Sequence, residues 1–234
     1  SINYTVVYEP GILTIVPEDA VVVTITANKG TYQYDGTEKD LSGYSVAINN
    51  KLYTEKDFSF TGSAVLKGTN AGEYRTEMKP EDFRNINPNF KYVVFQVENG
   101  ALQITRRNVI LTSADAAKPY DGTPLTNHKV EVSGDGFVEG EGVTLNVTGR
   151  ITQVDTVENT FAYTMADGTL ANNYNITRVF GTLTITPIPT HRLTITYVKN
   201  TGETLKVFTR MYATGEYYSV ATDPIPGYRA DIEK

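Results

Sequence analysis

The side chains that could perform chemistry are few in this sequence and stand apart from one another. Its two histidines, His128 and His191, have no cysteine to accompany them, because the chain contains none. A zinc site of the usual Cys/His kind is therefore excluded. A loop histidine alone is a weak basis for a Ser-His-Asp triad, and the sequence holds neither a Gly-rich phosphate loop nor a G-x-S-x-G elbow. We expect no catalytic residue, no metal ligand and no cofactor.

The acidic residues suggest two kinds of site, a calcium site and a glycosidase pair of carboxylates, and both signals are weak. Residues 135–142 alternate carboxylates with glycines, and such a segment can wrap a calcium ion. The spacing does not match the EF-hand pattern, so we interpret the segment as an exposed connecting loop. Glu81 and Asp82 are adjacent in sequence, whereas a glycosidase needs two carboxyl groups that face one bond from opposite sides.

Tyrosine is the most prominent residue type with a capacity for binding. The chain has 16 tyrosines and no tryptophan, and four of the tyrosines cluster near its end: Tyr212, Tyr217, Tyr218 and Tyr228. An exposed aromatic ring can stack on a sugar ring while its hydroxyl group stays hydrated. These four residues are where we expect any contact with a glycan, although packing in a core is the interpretation that we favour.

Composition bounds the partners and the fold class. The net charge is −6 with acidic and basic residues well mixed, so there is no basic stripe for a nucleic acid. No run approaches the roughly 18 apolar residues of a membrane span, so we expect no membrane insertion. Short runs of Val, Ile and Thr separated by Gly and Pro predict a mainly β fold.

Three motifs recur along the chain and place these strands in units. A Gly-x-Leu-x-Ile strand occurs at 11–15, 100–104 and 181–185, and a Tyr-Asp-Gly-Thr motif occurs at 34–37 and 120–123. An Asn-aromatic pair precedes each closing strand, at 3–4, 89–90 and 173–174. Repetition at intervals of roughly 80 to 90 residues predicts a tandem array.

Each motif has a structural interpretation. In Tyr-Asp-Gly-Thr, the Asp and Gly indicate a turn, the Thr can bond across it, and the Tyr packs inward. The alternative is a metal or sugar contact through Asp35 and Asp121. The Asn-aromatic pair with the following glycine predicts a terminal β-hairpin with Gly at the turn. Residues 79–83 predict a short helical turn, and Ile110 in place of a threonine predicts a strand covered on both faces.

These motifs define the predicted architecture, an elongated array of small β-rich domains of the β-sandwich, Ig-like or β-grasp-like kind. Residues 1–18 are the closing hairpin of a preceding repeat, so we expect the chain to be part of a longer protein. The first repeat is 19–106, the second is 107–187, and 188–234 form a linker and a partial module. We expect a monomer.

The motifs also resemble known families. Tyr-Asp-Gly-Thr, Asn-Tyr-x-Ile and Gly-Thr-Leu-Thr-Ile-Thr together are similar to the MBG repeats of Gram-positive bacterial surface proteins. Residues 118–186 fit well, and 29–105 fit more loosely because Tyr32-Gln33 replace a Lys-Pro pair. Residues 195–198, Gly202, 215–218 and 225–228 resemble a MucBP (mucin-binding) module, which implies a short β-grasp-like C-terminal fold.

The resemblance implies a secreted, cell-wall-attached protein of the adhesin type whose partners are host mucin or glycoprotein glycans. It brings no catalytic residues. Our leading hypothesis is therefore a non-enzymatic stalk segment of a cell-surface adhesin. The alternative is a set of accessory carbohydrate-binding or spacer domains of a large secreted carbohydrate-active enzyme.

Overall fold

The computed structural model describes residues 20–219 and 224–229, and this part of the chain is mainly β, as predicted. Three single-turn 3-10 helices occur in it, Glu55–Asp57, Pro80–Asp82 and Ala171–Asn173. The second of them confirms the short helical turn expected at 79–83, and Asp82 caps it by accepting a bond from the Lys79 N–H at 2.8 Å. The predicted hairpin at 1–18 lies outside the described residues.

The strands are short and follow one another closely. The first ten are β1 (Val21–Ala27), β2 (Lys29–Gln33), β3 (Lys39–Ser42), β4 (Tyr44–Ile48), β5 (Phe58–Phe60), β6 (Val65–Gly68), β7 (Gly72–Arg75), β8 (Phe83–Asn85), β9 (Val93–Glu98) and β10 (Ala101–Thr105). The next ten are β11 (Arg107–Ser113), β12 (Ala116–Pro119), β13 (Val130–Gly134), β14 (Val143–Val147), β15 (Asp155–Glu158), β16 (Phe161–Met165), β17 (Tyr174–Val179), β18 (Thr182–Thr186), β19 (Thr190–Val198) and β20 (Thr204–Ala213).

The first ten strands form two three-stranded sheets and two pairs. The sheets have the orders β4-β1-β9 and β2-β10-β7, and the pairs are β3-β6 and β5-β8. β1 runs parallel to β9 and antiparallel to β4. β10 likewise runs parallel to β2 and antiparallel to β7.

Strands β11 to β18 follow a corresponding order. Their sheets are β13-β11-β17 and β12-β18-β15, with β14 paired to β16. β18 runs parallel to β12 and antiparallel to β15. A single bridge between Leu125 and Ile151 stands where the first segment has the β3-β6 pair. β19 and β20 form an antiparallel hairpin with an irregularity between Tyr197 and Val198.

The predicted terminal hairpin is wrong for both described copies of its motif. β9 and β10 belong to different sheets, and so do β17 and β18. The recurring glycine between them allows a close approach of backbones rather than a turn. A Cβ at Gly100 would lie 2.2 Å from the Asn28 carbonyl oxygen, and one at Gly181 would lie 2.4 Å from that of Ser113. The chain crosses from one sheet to another at this point.

Strand β11 corrects a second expectation. Ile110 is 37% exposed, whereas Val109 and Leu111 on either side of it are fully buried. The strand therefore alternates between a buried and an open face, as β1 does with Val23 and Ile25. The period of two in a pleated strand outweighs the apolar character of Ile110.

The described chain packs into two compact units. The first comprises residues 20–109 with Gly134–Val143 and Met165–Thr177, and the second comprises Ile110–Ser133, Thr144–Thr164 and the chain from Arg178 onward. The boundaries of the repeats at 106/107 and 187/188 stay a prediction.

Each unit has its own core. In the first, the buried face of β1 packs against a group of aromatic rings in which Phe60 and Phe83 stack at 4.5 Å. In the second, Leu183 and Ile185 of β18 pack with Ile151. Burial of one such aliphatic side chain contributes about 1.5–3 kcal/mol.

Candidate functional site

Both Tyr-Asp-Gly-Thr motifs form the same turn. Asp35 Oδ1 accepts hydrogen bonds from the Thr37 N–H at 2.9 Å and from its hydroxyl group at 2.7 Å. Asp121 Oδ1 accepts the corresponding bonds from Thr123 at 2.8 and 2.7 Å. The glycines have φ of 80° and 79°, in the left-handed region that favours glycine. The predicted turn is therefore confirmed in both copies.

A lysine completes each turn. It follows the motif in the first copy and precedes the motif in the second. Lys39 Nζ, which follows the first motif, binds Asp35 Oδ2, whereas Lys118 Nζ, which precedes the second, binds Asp121 Oδ1 at 2.8 Å. These lysines, followed by the threonine bonds, hold the pKa of both aspartates well below the usual range. The carboxylates are 45% and 54% exposed, so the ion pairs contribute little to stability.

The acidic loop at 135–142 is anchored at its start. Asp135 Oδ2 accepts bonds from Gln33 Nε2 and from the Asn108 N–H, both at 2.8 Å. Arg107 Nε donates to the Gly136 carbonyl at 2.9 Å. Within residues 20–219 and 224–229, no three acidic or histidine side chains converge as metal ligands.

The far end of that loop is held by a cluster that the sequence did not indicate, the Glu141 clamp, formed by Glu141, Tyr34 and Tyr174. The Tyr34 hydroxyl donates to Glu141 Oε1, and the Tyr174 hydroxyl donates to Oε2 at 2.6 Å. The Tyr174 oxygen also accepts a bond from the Val138 N–H at 3.1 Å. The two rings meet edge to face at 5.7 Å, and each tyrosine is only 4% exposed.

The clamp corrects the interpretation of the loop as a merely exposed connection. Glu139 is exposed, but Glu141 is half-buried and binds two inward-facing tyrosines. Burial, followed by the bond to Glu141, raises the pKa of Tyr174 to about 12 and also raises that of Tyr34. Both hydroxyl groups therefore remain protonated donors throughout the physiological range.

Two of the four tyrosines predicted to contact a glycan come together in the C-terminal hairpin. Tyr212 and Tyr218 have ring centroids 5.4 Å apart with an interplanar angle of 48°. Tyr212 is 8% exposed and Tyr218 is 61% exposed. The guanidinium of Arg210 lies 5.0 Å from the Tyr212 ring centroid, within reach of a cation–π contact.

These two rings line an open pocket of about 280 Å³, the tyrosine pocket, with His191, Arg192 and Glu216. His191 Nε2 lies 2.9 Å from the Thr214 hydroxyl oxygen, and Glu216 Oε2 accepts the Ala213 N–H at 2.9 Å. These bonds fix the turn that closes the pocket. Its volume is close to the lower limit for small-molecule sites, so it suits a single ring-sized group.

The other two predicted tyrosines lie elsewhere. Tyr217 is fully exposed, and Tyr228 is half exposed with Lys199 Nζ 6.0 Å from its ring centroid. Lys199 follows the end of β19, whereas His191 lies near its beginning. At a rise of about 3.3 Å per residue, the two ends of the strand are roughly 25 Å apart. Tyr228 is thus at the opposite end of the hairpin from the tyrosine pocket.

No family model matches this chain, and no curated protein or solved structure matches it. No helix in the described ranges 20–219 and 224–229 is long and apolar enough to cross a membrane. Function is therefore inferred from the residues and from their geometry.

Proposed function

We propose that this chain is a non-enzymatic stalk segment of a secreted adhesin on the surface of a Gram-positive bacterium. Its repeats are β-sandwich-like spacers, and its last module is β-grasp-like and contacts host mucin or glycoprotein glycans. The corresponding strand orders of β1–β10 and β11–β18 support the repeats. The resemblance of the sequence motifs to MBG repeats and to a MucBP module supports the adhesin and its location.

The parallel pairing of early and late strands is the observation that carries the stalk function. β1 pairs with β9 over six residue positions, β2 with β10 over five, and β12 with β18 over four. A force on the two chain ends pulls the strands of such a pair in opposite directions along their axes. All hydrogen bonds of the evenly spaced parallel ladder are then loaded together.

An antiparallel pair with both loaded ends on one side opens differently, because its hydrogen bonds break one at a time. β1 and β4 form such a pair, with Val23 opposite Ile48. The same core can therefore be tested in two pulling directions. A spacer that holds a ligand under flow is pulled at its two chain ends. It therefore needs its higher unfolding force in that pulling direction.

Single-molecule force spectroscopy tests the stalk. The chain, placed between reference domains, is pulled from its two ends, and we expect each repeat to unfold in one step that releases about 30 nm of chain. The control pulls from the N-terminal end and from a thiol at Leu52→Cys, a position that is 80% exposed, which opens β1 from β4. We expect a lower unfolding force there, and equal forces in the two directions would refute the stalk.

The tyrosine pocket supports the glycan contact. Tyr218 offers an exposed ring face, and Arg192 with Glu216 supplies charged hydrogen-bonding groups beside it. An aromatic face can pack against the apolar side of a sugar ring while polar groups bind its hydroxyls.

Binding of mucin glycopeptides to immobilised protein tests this contact. We expect Tyr218→Ala to lose most of the binding and the matched control Tyr217→Ala, which is outside the pocket, to retain it. Equal losses in both variants, or an absence of binding by the unaltered chain, would refute glycan recognition by the pocket. Neither result would affect the outcome of the pulling experiment.

A further inference from the structure

A larger groove, with a volume of about 550 Å³, lies within the first compact unit. We call it the amide groove, because four of its lining residues carry primary amides: Gln33, Gln103, Asn108 and Asn175. Arg106 is the charged residue of the lining, and no carboxylate lines the groove. Its volume is in the usual range for ligand sites.

A buried asparagine supports one side of the amide groove from behind its lining. Asn173 is fully buried, its Oδ1 accepts the Ala71 N–H at 2.8 Å, and its Nδ2 donates to Asn70 Oδ1 at 3.0 Å. These bonds fix the turn that leads into Gly72 on the groove wall. A Cβ placed at Gly72 would meet no atom within 4 Å, so the space above it is open. The groove is therefore preformed.

The amides of the groove are oriented but retain unused hydrogen-bonding capacity. Asn175 Nδ2 donates to Asn108 Oδ1 at 3.2 Å, and Gln33 Nε2 donates to Asp135 Oδ2 at 2.8 Å. A primary amide has two donor hydrogens and an acceptor oxygen, so Asn108 Nδ2 and Gln33 Oε1 can still bind a ligand. Side chains that present both donors and acceptors suit hydroxyl groups, which also act in both ways.

Charge narrows the ligand class. Arg106 is exposed, and its guanidinium makes one long bond, at 3.5 Å, to Asn175 Oδ1. Most of its five N–H donors are thus available to a ligand in the groove. A guanidinium binds carboxylates in a bidentate manner, with stronger bonds than neutral pairs make.

We propose that the amide groove binds a saccharide that carries a carboxylate, a hexuronate or a sialate. Arg106 binds the carboxylate, and Asn108 and Gln33 bind hydroxyl groups of the ring. This site is separate from the tyrosine pocket, and the inference does not depend on the proposed adhesin function.

Titration of the ¹⁵N-labelled chain, followed by amide chemical shifts, tests the proposal. The probes are N-acetylneuraminate, D-glucuronate and neutral D-glucose. We expect the acids to shift the amide signals of residues 103–108 and of Asn175, and glucose to require a higher concentration. Whichever acid binds more tightly identifies the source of the carboxylate.

A matched pair of variants gives the control. Arg106→Gln should weaken acid binding by about tenfold or more and leave glucose binding unchanged. Arg84→Gln removes the same charge from an exposed position on β8 and should have no effect. The proposal is overturned if the groove signals do not move, if glucose binds as well as the acids, or if both variants behave alike. Tyr218→Ala should leave all of these shifts intact.

Discussion

Replacement of Glu141 by alanine is the most direct test of the clamp. The variant leaves the Tyr34 and Tyr174 hydroxyl groups, each on a residue only 4% exposed, without their charged acceptor. A hydrogen bond to a charged group contributes about 1.5–3 kcal/mol, so two of them set an upper range of about 3–6 kcal/mol. Glu141 is only half-buried, and water can enter the space left behind. We therefore expect a loss of about 3 kcal/mol in the free energy of unfolding.

Urea denaturation followed by circular dichroism measures this loss. Glu139→Ala removes the same charge from an exposed position of the same loop and should change stability by no more than about 0.5 kcal/mol. Glu141→Gln keeps one acceptor oxygen and should be intermediate. Hydrogen exchange at the Val138 amide, which donates to the Tyr174 oxygen, should also become faster in Glu141→Ala. If Glu141→Ala and Glu139→Ala were equally stable, the clamp would contribute nothing.

Three further predictions concern pH and backbone packing. The clamp tyrosines have pKa values raised above 10, to about 12 for Tyr174, so the free energy of unfolding should fall as pH rises from 10 to about 12. Denaturant melts over this pH range should show a smaller fall for Tyr174→Phe. Because the pKa values of Asp35 and Asp121 are lowered, their small contribution to stability should be lost progressively as pH falls below 3.8, and acid titration of an Asp35→Asn variant should show a shallower loss. Gly100→Ala should cost about 3 kcal/mol in a urea melt through its clash with the backbone, whereas Gly142→Ala, with no atom within 4 Å of its Cβ, should be neutral.

Local features of the fold were predictable from the sequence. The alternation of Val23 and Ile25 with threonines predicted the half-buried strand β1, and the Asp-Gly pairs predicted the turns. Sheet membership was not predictable in this way, because it depends on distant pairings. Leu102 lies opposite Gly30 on one side and Tyr74 on the other, and local pattern alone favoured a hairpin with β9.

The candidate sites were likewise predictable only where their residues are close together in the sequence. The cluster of tyrosines at the end of the chain indicated Tyr212 and Tyr218 as possible neighbours. Glu141 gave no signal, because its partners are 107 and 33 residues away in the sequence and it stands among glycines. Asn173 belonged to a motif noted for its aromatic residue, and its role in the amide groove arises only when the turn at Ala71 folds against it.

The two lysines that complete the Tyr-Asp-Gly-Thr turns have a consequence for sequence comparison. Lys39 and Lys118 occupy opposite flanks of their motifs, yet each ammonium group binds the same aspartate of its motif. A comparison that scores aligned columns counts this exchange as two mismatches, although the charge pair is preserved in space. A comparison by spatial neighbours therefore detects a likeness between the two turns that column-by-column scoring misses.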